Sequence, residues 1–182
     1  TRTLWEQELL PIRIPLYKGL MGMRVMLIRK DDQAMFSAIN KIEQLKQLRL
    51  GSGHIWAITK VFQHNKFNVV TGTNYDGLFD MLKKQRFDYF PRGLTEIYVE
   101  YQHARQGFSE LHIESSLLLQ TPLPFYFFVS PNAPQLAQKL EAGLGYRLDD
   151  AISALINFRV TQHTRLWDLI SPTYIHISFH LS

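Results

Sequence analysis

The stretch Arg86-Phe-Asp-Tyr-Phe-Pro-Arg-Gly-Leu-Thr-Glu96 joins a strand pattern to a helix pattern, and the rest of the chain is organised around it. Its aromatic residues Phe87 to Phe90 predict a short strand with an aspartate inside it. Pro91 is expected to end this strand, because proline has no N–H to donate, and Gly93 permits a sharp change of backbone direction. The threonine and glutamate that close the stretch predict a helix over Ile97 to Ala104.

Arg92 follows the strand pattern directly, where a side chain can be presented to a ligand. Ligands of open α/β sheets bind beyond the carboxyl ends of strands. The same spacing is also typical of a plain structural joint with a surface arginine paired to Glu96. The spacing alone favours the plain joint, whereas the position beyond a strand end favours a ligand-facing arginine, and both interpretations stay open.

Strand and helix patterns alternate along the remaining chain. The strand patterns cover residues 23–28, 48–50, 67–70, 112–119, 125–129 and 174–181. Helical patterns, with apolar residues at i, i+3 and i+4 spacing, cover 35–45, 55–65, 75–84 and 134–144, and a weaker one covers 151–158. This alternation with short turns predicts an α/β fold.

The turn Gly51-Ser-Gly53-His54 lies between a strand pattern and a helical pattern. A glycine turn before a helix exposes backbone N–H groups and the positive end of the helix dipole, which suit a carboxylate. Gly53 and His54 are therefore candidate ligand contacts at a helix start. An ordinary tight turn explains the two glycines as well.

The composition is typical of a soluble globular protein. The 182 residues suit one domain or two small lobes, with 46% hydrophobic residues, 20% charged residues and a net charge of +4. The basic residues are scattered, which argues against a nucleic-acid partner. Residues 115–138 carry no charge, but their four prolines argue against a membrane-spanning helix. The first residues lack the apolar core of a signal peptide.

Metal binding and catalysis are both disfavoured by the residue types present. The chain has seven histidines and no cysteine, which excludes disulfides and thiolate sites. His176 and His180 lie on a predicted strand, about 13 Å apart at roughly 3.3 Å per residue, and no acid is placed to complete a metal site with them. Gly51-Ser-Gly53 lacks the frame of a nucleophile elbow. We expect a non-enzymatic protein without metal or cofactor.

Three blocks of sequence carry a family resemblance. They are Arg86-Phe-Asp-Tyr-Phe-Pro-Arg-Gly93 with Tyr75-Asp-Gly-Leu-Phe-Asp-Met-Leu82 before it, Pro11-Ile-Arg-Ile-Pro-Leu-Tyr-Lys-Gly-Leu-Met-Gly-Met-Arg24, and Pro124-Phe-Tyr-Phe-Phe-Val-Ser-Pro131. In these blocks the chain resembles the bacterial extracellular solute-binding proteins of family 3, the polar amino-acid type. The resemblance runs from about Thr1 to Leu144. It implies an α/β fold of the type II periplasmic-binding-protein kind, with two lobes joined by two crossover strands.

The resemblance also implies a domain organisation and a role. Crossover strands are expected near 23–29 and 117–127, with residues 30–118 as an inserted second lobe. Residues 1–29 and 119–182 would form a partial first lobe with the hinge strands, truncated at the N-terminus. The implied role is periplasmic binding of a small polar, amino-acid-like ligand between the lobes, for delivery to an ABC transporter permease. The alternatives are a sensory module of a signalling receptor and a divergent interaction domain that binds no ligand.

Carried onto this chain, the resemblance implies ligand-binding roles for Gly53, His54, Asp88, Arg92 and Glu96. The glycine turn would hold a carboxylate, the aspartate an ammonium group, and the arginine, oriented by the glutamate, would offer planar donors. A buried carboxylate needs charge-assisted donors and a buried ammonium group needs an acceptor, which makes these residue types suitable.

The chain departs from the pattern of the relatives in three places, one of which is the tail from Tyr146 to Ser182. Trp5 stands where they carry the carboxylate-binding arginine, and Ile55 and Ile58 stand where they place a small residue and an acid. Losing an arginine and an acid argues against an unmodified amino-acid zwitterion as ligand. A different ligand, or a site that no longer functions, is the alternative.

Overall fold

The computed structural model describes residues 2–14, 16, 20–121, 125–144 and 175–178. The helices are α1 (Arg2–Glu8), α2 (Gln33–Ser37), α3 (Ile42–Gln47), α4 (Ala57–His64), α5 (Tyr75–Lys83), α6 (Ile97–Ala104) and α7 (134–144). The strands are β1 (Leu10–Ile12), β2 (Met23–Arg29), β3 (Arg49–Gly53), β4 (Asn68–Gly72), β5 (Phe90–Gly93), β6 (Leu111–Ile113), β7 (Leu117–Gln120), β8 (Phe127–Val129) and β9 (Ile175–Ser178). The predicted helix at 151–158, like His180, lies outside the described residues.

The chain divides into two compact units. The larger unit comprises Gly22–Pro122 and Leu166–Ser182, and the smaller unit comprises Thr1–Met21 and Leu123–Arg165. The lobe boundaries expected from the sequence, with 30–118 as one lobe, stay a prediction.

The smaller unit contains a two-stranded antiparallel sheet. In it β1 pairs with β8, with Pro11 opposite Phe128. Proline is tolerated there because β1 has one described partner strand and can direct its missing donor away from it. The ring of Trp5 on α1 packs edge-on against that of Phe128, with 5.7 Å between the ring centres.

The larger unit contains a five-stranded sheet and, joined to it by one isolated bridge, the two-stranded sheet of β3 and β4, and together they position the candidate site. β3 and β4 pair in parallel, and Leu50 of β3 forms a parallel bridge to Tyr89, just before β5. β5, β6 and β7 each pair antiparallel with β2, and β9 pairs in parallel with β7. β3, β4 and β5 therefore run in one direction with β2 opposed to them. The carboxyl ends of β3 and β5 lie at the same edge of the sheet.

β2 is the central strand of this unit. Val25 to Ile28 are fully buried, which is the continuous apolar run expected of a strand covered on both faces. Phe36 of α2 and Leu82 of α5 belong to the same core and are also fully buried. At the end of β2, Arg29 donates hydrogen bonds to the carbonyl oxygens of Leu82 and Phe87 at 2.9 and 2.8 Å.

Pro91 lies inside β5, so the prediction that it ends the strand is wrong. Leu94 N–H donates to the carbonyl oxygen of Met23 at 3.0 Å, and hydrogen-bonded pairs alternate along an antiparallel ladder. Counting back from that pair, Pro91 opposite Met26 falls at a position without hydrogen bonds. Its nitrogen faces away from β2, and the ladder does not need the missing donor.

Two predicted elements are each divided in the structure: the helical pattern over 35–45 corresponds to α2 and α3, and the strand pattern over 112–119 corresponds to β6 and β7. The other predicted elements within the described residues agree in type, with shifted bounds. The helix expected over Ile97 to Ala104 is α6, with the same bounds. β2 covers 23–29 and β7 begins at Leu117, within the two ranges expected for crossover strands; that they cross between lobes stays a prediction. β2 and β7 pair with each other, with Met23 opposite Gln120. Among the described residues, no helix has the length and apolar character needed to cross a membrane.

Candidate functional site

The candidate site lies at the carboxyl ends of β3 and β5 in the larger unit. Gly53 is the last residue of β3, and Arg92 is the penultimate residue of β5. The start of α5, at Tyr75, and α6 complete this edge of the sheet. Two of the five predicted site residues, Arg92 and Glu96, are in direct contact, whereas Asp88 is engaged elsewhere.

Arg92 is the centre of this arrangement, and it is buried, with 8% of its surface exposed. Its Nε and Nη2 atoms each lie 2.5 Å from a carboxylate oxygen of Glu100 on α6. This two-point pairing uses the planar fork of the guanidinium. Burial acts to lower the pKa of Arg92, but the hydrogen bonds and charge of Glu100 outweigh it and hold the pKa above its usual value.

Glu96 is a secondary partner of Arg92, which corrects the sequence expectation of an Arg92–Glu96 pair. Its Oε2 atom lies 3.6 Å from Arg92 Nη2, and half of its side chain is exposed. Glu96 precedes α6, and its backbone N–H donates to the carbonyl oxygen of Gly93. One turn further along the helix, Glu100 has 15% of its side chain exposed and forms the closer pair. The interpretation of Arg92 as a surface arginine is wrong because the side chain is buried.

Three aromatic rings surround the Arg92 guanidinium. Its carbon lies 4.8 Å from the ring centre of Trp56, 4.9 Å from that of Phe90 and 5.5 Å from that of Tyr75. The Trp56 and Phe90 rings are stacked, with centres 6.0 Å apart and planes 12° apart. Cations are attracted to the faces of aromatic rings, most strongly to tryptophan. Burial, together with the nearby Glu100 carboxylate, raises the pKa of Tyr75 well above its usual value, so its hydroxyl is a neutral donor.

Gly53 and His54 lie before the helix and not at its start, which corrects the sequence prediction. β3 continues through the glycines because it pairs with β4 as far as Gly53 opposite Gly72, and α4 begins only at Ala57. A Cβ atom on Gly53 would overlap the Trp56 ring, so the glycine allows the ring to lie against the strand. The His54 side chain is exposed, and its backbone N–H donates to the carbonyl oxygen of Gly72.

Hydrogen bonds of two hydroxyl groups connect the end of β3 to α4. Thr59 donates its hydroxyl to the carbonyl oxygen of Gly53 at 2.6 Å, and its oxygen lies 2.7 Å from that of Ser52. Both hydroxyl-bearing residues are buried. The position of Trp56 at the start of α4 is therefore fixed from both the strand and the helix.

Asp88 forms a brace with Arg49. Its carboxylate accepts hydrogen bonds from Arg49 N–H at 2.8 Å, Nε at 3.1 Å and Nη2 at 2.7 Å, and Arg29 Nη2 lies 3.7 Å away. Burial acts to raise the pKa of Asp88, but these hydrogen bonds and charges outweigh it and hold the pKa below its usual value. Asp88 lies before β5, whereas Arg92 lies near the opposite end of that strand.

The sequence reasoning gave no part in the site to Arg24 or Glu100, and it did not place the rings of Trp56, Tyr75 and Phe90 around Arg92. Glu100 lies eight residues after Arg92 and four after Glu96, so a charged face of α6 was the available signal. Arg24 is half-buried and lies directly opposite Gly93 in the ladder between β2 and β5. No group of acids, histidines or cysteines in the described part of the chain is arranged to hold a metal ion.

Comparison with known proteins finds similar folds among solved structures. No protein-family model matches the sequence, and no curated protein matches it. Among solved structures, an ancestral arginine-binding protein bound to arginine is 15% identical with a TM-score of 0.54, over 85% of this chain and 65% of that one. The periplasmic VFT2 domain of Bordetella pertussis BvgS is 20% identical with a TM-score of 0.54, over 85% and 62%.

A third similar structure is an ancestral amino acid-binding protein that is a precursor of cyclohexadienyl dehydratase. It is 12% identical with a TM-score of 0.51, over 85% of this chain and 62% of that one. The chain spans less than two thirds of the length of these three proteins. These likenesses define the fold: the chain has an α/β fold of the type II periplasmic-binding kind. The fold expected from the sequence is thereby confirmed.

Proposed function

We propose that the larger unit binds a small polar, amino-acid-like molecule beside Trp56, Tyr75 and Arg92. One observation carries the proposal: a buried arginine, paired on two points by an acid and enclosed by three rings, lies where β3 and β5 end. Open α/β sheets bind ligands at this edge. Aromatic side chains with a few fixed polar groups are the usual lining of small-molecule sites.

The five residues expected from the sequence take different parts in this proposal. Arg92 positions the three aromatic rings around it, because two of its nitrogens already donate hydrogen bonds to Glu100. Gly53 and His54 shape the turn that carries Trp56, and the half-exposed Glu96 orients Arg92 as its second acidic partner, with 3.6 Å between Oε2 and Nη2. Asp88 is a less suitable partner for an ammonium group, because its carboxylate already accepts three hydrogen bonds from Arg49.

The biological role we propose is that of a periplasmic solute-binding protein that serves an ABC-type importer. The support is the fold, together with likeness to an arginine-binding protein and an amino acid-binding protein. A second candidate is a ligand-sensing module of a signalling receptor, favoured by the likeness to the periplasmic VFT2 domain of BvgS. A coding sequence that continues into a membrane span and a signalling domain would support the sensor, and a neighbouring permease gene would support the importer.

A thermal-shift screen tests ligand binding. The full chain is heated with each of the common amino acids and a set of small organic acids at millimolar concentration, against sodium chloride at equal ionic strength. We expect a saturable rise in melting temperature with at least one organic acid, and smaller rises with unmodified amino acids, because Asp88 and Glu100 are already paired. Ligand binding stabilises a protein by mass action.

Two variants make the screen specific for the candidate site. Trp56→Leu removes a ring of the site and should abolish the rise, whereas Met35→Ala, at an exposed position on α2, should leave it unchanged. A screen in which no compound raises the melting temperature of the unmodified chain would contradict the proposal. It would favour the interaction domain that binds no ligand.

A further inference from the structure

Arg24 is a basic residue beside the candidate site that no described acid pairs with. It is the second residue of β2 and lies opposite Gly93 of β5. Residues directly opposite one another in an antiparallel ladder project from the same face of the sheet. Because Gly93 has no side chain, the space on that face is left to Arg24 and to Glu96, whose Oε2 atom would lie 3.0 Å from a Cβ on Gly93.

The Arg24 side chain is half-buried and has one buried donor without a partner. Its Nε atom is buried and forms no hydrogen bond. Arg24 also forms no ion pair within the described residues, although Arg92, Glu96 and Glu100 all lie near enough to influence its charge. Burial and the neighbouring Arg92 lower the pKa of Arg24 to about 10, so it remains a cation at neutral pH.

A buried donor without an acceptor is costly, and such groups in folded proteins are normally hydrogen-bonded. An unpaired buried polar group therefore calls for a missing partner. The neighbouring arginine cannot share its acid, because Glu100 is engaged on two points by Arg92. The remaining acid, Glu96, is half exposed and 3.6 Å from Arg92.

We infer that Arg24 binds the anionic group of the ligand, and that the ligand is a small organic anion with no ammonium group. This inference rests on the proposed function and names the ligand class of that site. A guanidinium donates in a planar fork that fits a carboxylate or a phosphate group. The second half of the inference follows from the two acids near Arg24. Glu100 is already paired on two points with Arg92, and Glu96 lies 3.6 Å from the same guanidinium, so neither carboxylate is left without a cation for a ligand ammonium.

The test follows the Nε–H signals of the arginines by NMR in the full chain, labelled with nitrogen-15. The Arg24 signal is identified by its loss in Arg24→Lys. Sodium acetate, inorganic phosphate, glycine and methylammonium chloride are added separately, with sodium chloride keeping the ionic strength constant. We expect a saturable shift of the Arg24 signal with acetate or phosphate, a weaker one with glycine and none with methylammonium. Whichever of acetate and phosphate causes the larger shift identifies the anionic group of the ligand as a carboxylate or a phosphate.

Variants then connect the anion to the site. The effective anion should bind Arg24→Lys about 10- to 100-fold more weakly, which is the usual range for losing charge-assisted hydrogen bonds. Arg105→Lys, at the exposed end of α6, should bind it as the unmodified chain does. The indole signal of Trp56, recorded in the same samples, shows whether each variant remains folded and whether the site responds.

The outcomes separate the two proposals. A compound that shifts the Trp56 indole signal with equal affinity in the unmodified chain and in Arg24→Lys would overturn this inference and leave the proposed function standing. An Arg24 signal that responds to no anion would also overturn it. A response of Arg24 without any response of Trp56 would support an anion at Arg24 and contradict the proposed function.

Discussion

Arg92 and Glu100 form a two-point ion pair that joins the end of β5 to α6, with both N···O distances at 2.5 Å. The side chains are 9% and 15% exposed, respectively. The pair is therefore part of the interior of the larger unit. Three aromatic rings surround its guanidinium group. The shape of the candidate site therefore depends on both partners of this ion pair.

Replacing Arg92 with alanine should destabilise the chain strongly. The change leaves the Glu100 carboxylate buried without its partner, and breaking a buried pair in this way costs about 3 kcal/mol. Urea unfolding at pH 7 measures the loss. Arg86→Ala, at an exposed position, is the control and should change the free energy of unfolding by less than about 0.5 kcal/mol. An equally small effect at Arg92 would show that the pair contributes no net stability.

Gly53→Ala should destabilise the chain and displace Trp56. A Cβ atom at this position would overlap the indole ring, and forcing extra volume into a packed region costs about 1–3 kcal/mol. Gly77→Ala on α5 is the matched control, because the nearest atom to its Cβ would be an ordinary contact at 3.5 Å. That control should gain about 0.4–1 kcal/mol through the unfolded state. Urea unfolding of both variants checks the pair of expectations, and an unchanged stability of Gly53→Ala would refute the close packing.

Asp88 should make the stability of the chain depend on pH in the acid range. The hydrogen bonds and charges from Arg49 and Arg29 hold its pKa below the usual value despite burial. A carboxyl group with a lowered folded pKa contributes stability above its unfolded pKa, about 3.9, and loses that contribution as the pH falls towards the folded pKa. Asp88→Asn should therefore cost about 1 kcal/mol at pH 7 and progressively less below pH 4.

The measurement for Asp88 is urea unfolding at several pH values between 3 and 7. Asp80→Asn, at an exposed position on α5, serves as the control and should show no such convergence with the unmodified chain. If Asp88→Asn loses the same unfolding free energy at pH 3 and at pH 7, the charge of the Asp88 carboxylate does not stabilise the chain through its pair with Arg49.

Glu114 should be a strong determinant of stability although it lies outside the candidate site. It is fully buried between β6 and β7, and its carboxylate accepts hydrogen bonds from the backbone N–H groups of Ser116 and Leu117 at 2.8 and 2.7 Å and from Gln33 at 3.0 Å. Glu114→Ala leaves these donors unpaired, at about 1–3 kcal/mol each for those that stay buried. Urea unfolding should show a much smaller effect for the exposed Glu110→Ala, and equal effects would contradict this role.

The parts of the fold that follow from local patterns could be predicted from the sequence. The apolar run of β2 and the bounds of α6 are examples, because side-chain periodicity and helix signals act within a few residues. The extent of β3 could not be predicted, because its glycines continue the strand only through pairing with β4. For the same reason the proline of β5 gave the wrong boundary, since its effect depends on which neighbouring strand its nitrogen faces.

The candidate site was predictable only in position. Arg92 was identified from its place after a strand, but its partner Glu100 is set by how α6 packs over the sheet. The resemblance implied that Asp88 and Arg92 share the strand end, yet Asp88 pairs with Arg49, which is 39 positions away. Arg24 gave no local signal, because its significance depends on Gly93 in a neighbouring strand.

The most direct measurement is a proton–nitrogen NMR titration of the Trp56 indole N–H in the full chain with the small organic acids of the thermal-shift panel. The chain has three tryptophans, and Trp56→Phe identifies the signal. If the larger unit binds a small polar ligand beside Trp56, at least one compound shifts this signal saturably while the other two indole signals remain in place. If no compound shifts it, or if all three signals move together in proportion to salt, the chain does not bind such a ligand at this site.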